Sequence, residues 1–292
     1  MAVTDLSAAG GTTGRKIVEG RMIVCHEIHK HFGGFHAVDG VSLDIPAGAI
    51  TGLIGPNGAG KTTLFNVIAG VHKPTSGTVT MAGEDVTGLP PHALFAKGLL
   101  RTFQIAQEFA SMSVLENLMM VPGAQSGEAL WNTWVNRRKI AEEEEQLRFK
   151  AQGVLEFLTL APLRDERAGN LSGGQKKLLE LGRTMMVDAQ VVFLDEVGAG
   201  VNRTLLRTVG DAIVRLNRER GYTFCVIEHD MDFIARLCDT VIVMAQGKVL
   251  AKGAPADIIR NEQVIEAYLG TGLKNKVVAA GPGEAMLGAA AP

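Results

Sequence analysis

Apolar residues along this chain recur with two periods, and the switch between them divides it into elements. "RMIVCHEIHKHF" (21–32) and "VSLDI" (41–45) alternate as half-buried strands do, with Val41, Leu43 and Ile45 on one face. "AITGLIG" (49–55) is a short apolar run bounded by glycines, and "VVFLD" (191–195), "TFCVIEH" (223–229) and "TVIVMAQG" (240–247) are of the same kind. Such uninterrupted runs fit strands covered on both faces. Between them the spacing turns helical: after Lys61, from about Glu142 to Leu158, after Gly174, and from Arg203 to Glu219. Strands alternating with helices predict an α/β fold around a largely parallel sheet. Residues from about 105 to 186 break that rhythm and read as helical throughout, which predicts a helical subdomain inserted ahead of "VVFLD". The small, polar residues 1–20 and the Ala/Gly/Pro-rich residues 271–292 are expected to be flexible, leaving one ordered domain over 21–270.

Composition changes this picture little but excludes several functions. With 292 residues, 46% of them hydrophobic and 21% charged, the chain can bury a sizeable core. Its 29 Lys and Arg against 31 Asp and Glu create no global field for nucleic acid, so no nucleic-acid partner is expected. Cys25, Cys225 and Cys238 are odd in number and lack a CxxC spacing, which predicts reduced thiols. No apolar run approaches the roughly eighteen residues of a membrane helix, and the N-terminus carries no segment of signal-peptide kind. The expected location is the cytoplasm, with any work at a membrane done through a partner. "AEEEEQLRFK" (141–150) reads as a solvated helix face. His26, His29, His31 and His36 gather near the start, but no cysteine or acidic set of ligand spacing completes a metal site there.

The chemistry begins with "GPNGAGKTT", in which Gly55, Gly60, Lys61 and Thr62 satisfy the GxxxxGK[ST] pattern between a predicted strand and a predicted helix. Glycines there let backbone N–H groups converge on phosphate oxygens, and the helix start adds a favourable dipole. Gly55, Pro56, Asn57, Gly58, Ala59, Gly60, Lys61, Thr62 and Thr63 thus form a nucleotide site. Lys61 would contact the β- and γ-phosphates, and the Thr62 hydroxyl would ligate Mg²⁺. In "NLSGGQKKLLELGRTMM" (170–186), Ser172 fits an N-cap and Gly173 and Gly174 expose backbone N–H groups. Leu178, Leu179, Gly182, Met185 and Met186 then form the core stripe of a helix. In "VVFLDEVGAGVN" (191–202), Asp195 and Glu196 are either the polar end of a buried strand or a catalytic pair, and the stretch alone does not decide.

"LSGGQ" after a phosphate loop and just before an apolar strand ending in "DE" resembles the ATP-binding cassette (ABC) ATPases, over about residues 21–270. The resemblance implies a P-loop core of RecA-like type, an antiparallel β subdomain and an inserted helical subdomain. It implies two cassettes that sandwich two ATP molecules with Mg²⁺, as a homodimer or a heterodimer. Ser172, Gly173, Gly174 and Gln175 would close the partner's nucleotide site. By the same resemblance Phe32 would stack on adenine, Asp195 would position Mg²⁺ through water, and Glu196 would act on the attacking water. Gln104, in "RTFQ", would touch Mg²⁺ and that water, and His229, in "IEHD", would contact the γ-phosphate. Taken singly, Phe32 also fits a turn aromatic, Gln104 a surface glutamine and His229 a satisfied core histidine.

"GLLRTFQIAQEFASMSVLENLMM", "VIEHDM" and "VIEAYLG" are similar to the ATPases of branched-chain amino acid importers and their relatives for urea and amides. That similarity implies integral membrane permease subunits, docked near "IAQEFASMSVLEN", and indirectly a periplasmic or extracellular solute-binding protein. It implies a location on the inner face of the cell membrane through the permease. Lipopolysaccharide-export ATPases share part of the pattern. A non-transport soluble cassette is a further alternative, but the long coiled-coil insertion or second cassette usual there is missing. The chain departs from the family at Val197, where most members carry proline, and in "GAGVN", which replaces "AAGLN". Loss of the proline restores an N–H and frees one φ angle, so a looser turn is expected.

Overall fold

The computed structural model describes residues 20–101, 108–123, 137–187, 189–199 and 201–269. The arm before residue 20, the tail from 270 onward and Gln104 lie outside the described residues. In chain order the elements begin with β1 (Arg21–Phe32), β2 (Phe35–Pro46), β3 (Ile50–Ile54) and α1 (Lys61–Ile68). Next come β4 (Ser76–Met81), β5 (Glu84–Asp85), α2 (Pro91–Ala96) and β6 (Leu99–Arg101). Helices α3 (Val114–Met119), α4 (Arg137–Phe157) and α5 (Gly173–Met185) follow, then β7 (Val191–Asp195), α6 (Arg203–Arg220) and β8 (Thr223–Ile227). The last are α7 (Met231–Leu237), β9 (Thr240–Ala245), β10 (Lys248–Gly253), α8 (Pro255–Arg260) and α9 (Glu262–Leu269).

Two sheets result. The smaller is antiparallel, in the order β2-β1-β4-β5. The larger runs β10-β9-β3-β8-β7-β6, parallel except for β10 at its edge. Every residue of β3, β7 and β8 is buried, as expected for central strands covered on both faces. Their side chains alternate between two cores. Val191 and Phe193 of β7 join Phe65 of α1 and the antiparallel sheet, whereas Val192 and Leu194 join the helices from α3 to α6. The Phe65 and Phe193 rings lie 4.7 Å apart between centroids and tie α1 to the sheet from which the phosphate loop springs.

The helices end where their sequences say they should. Ser172 caps α5 reciprocally with Gln175, whose N–H donates to Ser172 Oγ and whose side chain accepts from Ser172 N. Asn202 accepts from Leu205 N at 2.9 Å to start α6, and Gly221, at φ 66°, ends it. The Glu-rich face of α4 is solvated, with Arg138–Glu142 and Lys139–Glu143 pairs one turn apart. The three cysteines are free and buried. No described helix is long and apolar enough to cross a membrane. Phe193→Ala is expected to cost about 3–5 kcal/mol by opening the contact with Phe65, read as a fall in the thermal midpoint with the far-ultraviolet spectrum retained.

Candidate nucleotide site

The phosphate loop occupies the six residues between β3 and α1, and backbone packing explains its glycines. A Cβ on Gly55 (φ 149°) would lie 2.1 Å from the carbonyl oxygen of Met244, and one on Gly60 (φ 94°) 2.3 Å from that of Ala37. Both positions therefore admit only glycine. Gly60 opens α1 without any side-chain cap, so the first-turn N–H groups stay available to an anion. Asn57, Gly58 and Thr62 are exposed, Pro56, Gly60 and Thr63 half-buried, and Gly55, Ala59 and Lys61 buried. Lys61 Nζ donates to the carbonyls of Gly55 (2.7 Å) and Pro56 (3.0 Å). Burial lowers the pKa of this ammonium, and the charges of Glu196 and Asp195 work against that shift. A cation so enclosed gains from an anion placed in the loop.

The carboxylates arrive from β7. Asp195, 4% exposed, ends the strand and pairs its Oδ2 with Arg101 Nη2 at 2.8 Å. Arg101 Nη1 donates to Asn66 Oδ1, so the end of β6 bridges α1 and β7. Arg101 is a site residue that sequence reasoning passed over, although it stands in the quoted "RTFQ". Glu196 follows with φ 50°, a left-handed conformation rare for a residue with a Cβ. Its N–H donates to Ile227 O of β8 at 3.0 Å, and its Oε1 lies 3.3 Å from His229 Nε2. Parallel pairing of Asp195 with Ile227 sets this meeting, because both chains leave the sheet side by side.

A second residue missed in the sequence is Glu228. It is 5% exposed, and its carboxylate accepts the N–H groups of Gly198 and, at 3.1 Å, His229. Burial pushes its pKa up, while those two N–H bonds pull it back. A Cβ on Gly198 would lie 3.2 Å from Glu228 Oε1. The expected looseness at Val197 is therefore countered: its side chain is buried in the helical-side core, and the next residue is tied to Glu228.

Other predicted residues make their contacts elsewhere. Phe32 is 46% exposed at the end of β1, edge-on to His72 at 5.4 Å and beneath Lys30 Nζ at 5.0 Å. Ser172, Gly173, Gly174 and Gln175 open α5, where the Ser172 and Gln175 side chains bond each other's backbone rather than the phosphate loop. Gly174 is pressed on Leu205 of α6, since a Cβ there would fall 1.7 Å from Leu205 Cδ2.

The family model described as "ABC transporter" matches residues 38–199, which run from β2 through the phosphate loop and α5 to the turn after Glu196. The chain belongs to the ABC transporter ATPase family. A further model, "Branched-chain amino acid ATP-binding cassette transporter", matches residues 248–274. Relatives of this cassette include the "Probable branched-chain amino acid transport ATP-binding protein LivG" of Archaeoglobus fulgidus, 42% identical over 86% of this chain and 96% of that protein. The "High-affinity branched-chain amino acid transport ATP-binding protein BraF" of Pseudomonas aeruginosa is 38% identical over 82% and 94%. Among solved structures, an ATP-binding cassette of an ABC transporter in its ADP conformation has a TM-score of 0.75 and 38% identity, covering 86% of this chain and 99% of that one. The cassette is thus a nucleotide-binding ATPase with an α/β, P-loop architecture.

Glu228→Ala strands two N–H groups and is expected to cost about 1–3 kcal/mol and to lower the turnover number for ATP. Glu228→Gln, which restores one acceptor of the two, should recover part of both, as followed by thermal denaturation and phosphate release.

Proposed function

We propose that this cassette binds ATP with Mg²⁺ and hydrolyses it to drive import of a small polar solute, of the branched-chain amino acid class, through separate membrane subunits. The observation that carries the reading is the Glu196–His229 contact of 3.3 Å at the end of β7, near enough to the phosphate loop for the Glu196 and Asp195 charges to act on its buried Lys61. In this reading the loop amides and Lys61 hold the phosphates, and Glu196 orients the attacking water or takes its proton. His229 fixes the Glu196 carboxylate and faces the terminal phosphate. The exposed Thr62 hydroxyl and the Asp195 carboxylate would supply oxygen donors of the kind a hard cation prefers, and the family resemblance assigns Gln104, which lies outside the described residues, to the same cation. Mg²⁺, when bound, would neutralise phosphate charge. Asp195 would share its carboxylate between that cation and Arg101. Phe32, half-exposed at a strand end, offers a face on which adenine stacks.

The Ser172–Gln175 cap engages the N–H groups of those two residues and not those of Gly173 and Gly174, so the two glycines have backbone to offer a second cassette, identical or different, with Ser172 and Gln175 flanking them. The segment expected to dock, "IAQEFASMSVLEN", is described only from residue 108 on; none of its described residues lines the groove of about 390 Å³ between Phe95, Leu100, Leu147, Lys150 and Met186, which offers a membrane subunit a second, partly apolar seat. Attachment to the inner face of the cell membrane follows from that docking, with a solute-binding protein engaged only from the far side. The solute class is supported by the match over residues 248–274 and by the names of the relatives.

Glu196→Gln tests the catalytic assignment. It is expected to keep ATP binding, to slow hydrolysis by about two to four orders of magnitude, as loss of a general base does, and to trap an ATP-bound dimer in size-exclusion chromatography. Hydrolysis at the wild-type rate would remove Glu196 from the reaction. Co-purification of a membrane protein tests the transport assignment, and recovery of ribosomes or DNA instead would overturn it.

A further inference from the structure

No acidic set of ligand spacing completes the histidines near the start of the chain in the sequence, but the fold supplies a carboxylate. Pairing of β1 with β2 brings Asp39 to His29 and His31, so that one ligand atom from each of the three lies within 4.8 Å of the others. His29 Nδ1 is 3.2 Å from Asp39 Oδ1. Ligand atoms placed about 2.0–2.1 Å from a tetrahedral ion lie roughly 3.4 Å apart, so this pair already has the separation a metal edge requires. The His31 nitrogen, within 4.8 Å of the other two ligand atoms, would have to draw closer for all three to share one ion. His31 Nε2 is buried without a hydrogen-bond partner, which is unfavourable for an imidazole nitrogen unless something else engages it. Its ring is held by a stack on His36 at 3.8 Å between centroids and by an edge contact with His29 at 6.0 Å. The other carboxylate oxygen of Asp39 is occupied by Lys248 Nζ at 3.2 Å, which turns Oδ1 towards the imidazoles.

We propose that His29, His31 and Asp39 form a binding site for a divalent transition-metal ion, Zn²⁺ by its ligand chemistry, separate from the site of the nucleotide. Two imidazoles and a carboxylate suit a borderline ion rather than Mg²⁺, and three protein ligands leave one position open. The site's place gives it a consequence. His31 immediately precedes Phe32, the backbone N–H of Asp39 donates to Gly247 O at 2.8 Å, and the Ala37 carbonyl rests against Gly60 of the phosphate loop. An ion there clamps the β1–β2 hairpin where it abuts the nucleotide site.

The test uses the full chain, stripped with chelator and free of nucleotide, so its outcome does not depend on the ATPase reading. Equilibrium dialysis against Zn²⁺ is expected to show one tight equivalent and a rise in thermal midpoint, since a ligand bound only by the folded state stabilises it. His29→Gln, His31→Gln and Asp39→Asn should each weaken Zn²⁺ binding by at least about tenfold, the lower end of losses seen on disturbing metal sites, and should abolish the rise. His26→Gln and His72→Gln, outside the cluster, should leave both unchanged. Thermal midpoints of the metal-free variants report whether each folds. The proposal is overturned if the wild type takes up no Zn²⁺, if His31→Gln and Asp39→Asn bind it as the wild type does, or if His26→Gln weakens binding equally.

Discussion

The parallel pairing of β7 with β8 is the constraint on which the candidate site depends. It sets Asp195 beside Ile227 and so delivers Glu196 and His229 together from two segments that are 33 residues apart in the chain. The pairing also places the turn after β7 over Glu228, which bonds it. Nothing local in either segment could bring these groups within reach. The strands hold their positions because both faces of the sheet are filled, by Phe193 and its neighbours on one side and Val192 and Leu194 on the other.

A second theme is how buried charge is managed. Lys61 is enclosed by carbonyl oxygens, Asp195 by Arg101, and Glu228 by two backbone N–H groups. Each arrangement offsets part of the cost of taking a charge out of water. They differ in what they leave available. Glu228 has both oxygens occupied and is suited to holding two loops. Lys61 and Asp195 are held by partners that an incoming phosphate or cation can replace or share.

Much of this was legible in the sequence wherever the signal is local. The phosphate loop, the Ser172 cap and the uninterrupted runs of β3, β7, β8 and β9 each lie within a dozen residues, and their pattern states their structure. Strands β4, β5, β6 and β10 went unread. β6 has three residues, too few for any period, and β10 is an edge strand whose lysines and glycine interrupt the apolar pattern. In the site the same division holds. Lys61 was named from the phosphate-loop pattern and Glu196 only through the family resemblance, whereas Arg101 finds Asp195 across 94 positions and Gly198 finds Glu228 across 30. Asp39 escaped notice for a related reason: it reaches the histidines by strand pairing, through a ladder broken by register shifts. Spacing along the chain carries no trace of such a meeting.

The contact between Gly174 and Leu205 links two regions that are distant in sequence. α6 starts at Arg203, only a few residues beyond Glu196, and its third residue, Leu205, fills the space a side chain on Gly174 would need. The loop that opens α5 and the turn that carries Glu196 therefore share one footing. Because the Gly174 backbone packs directly on that side chain, a displacement of α6 would press on the start of α5. In a pair of cassettes facing each other, that contact would make the state of one chain's own nucleotide a mechanical input to the neighbouring one.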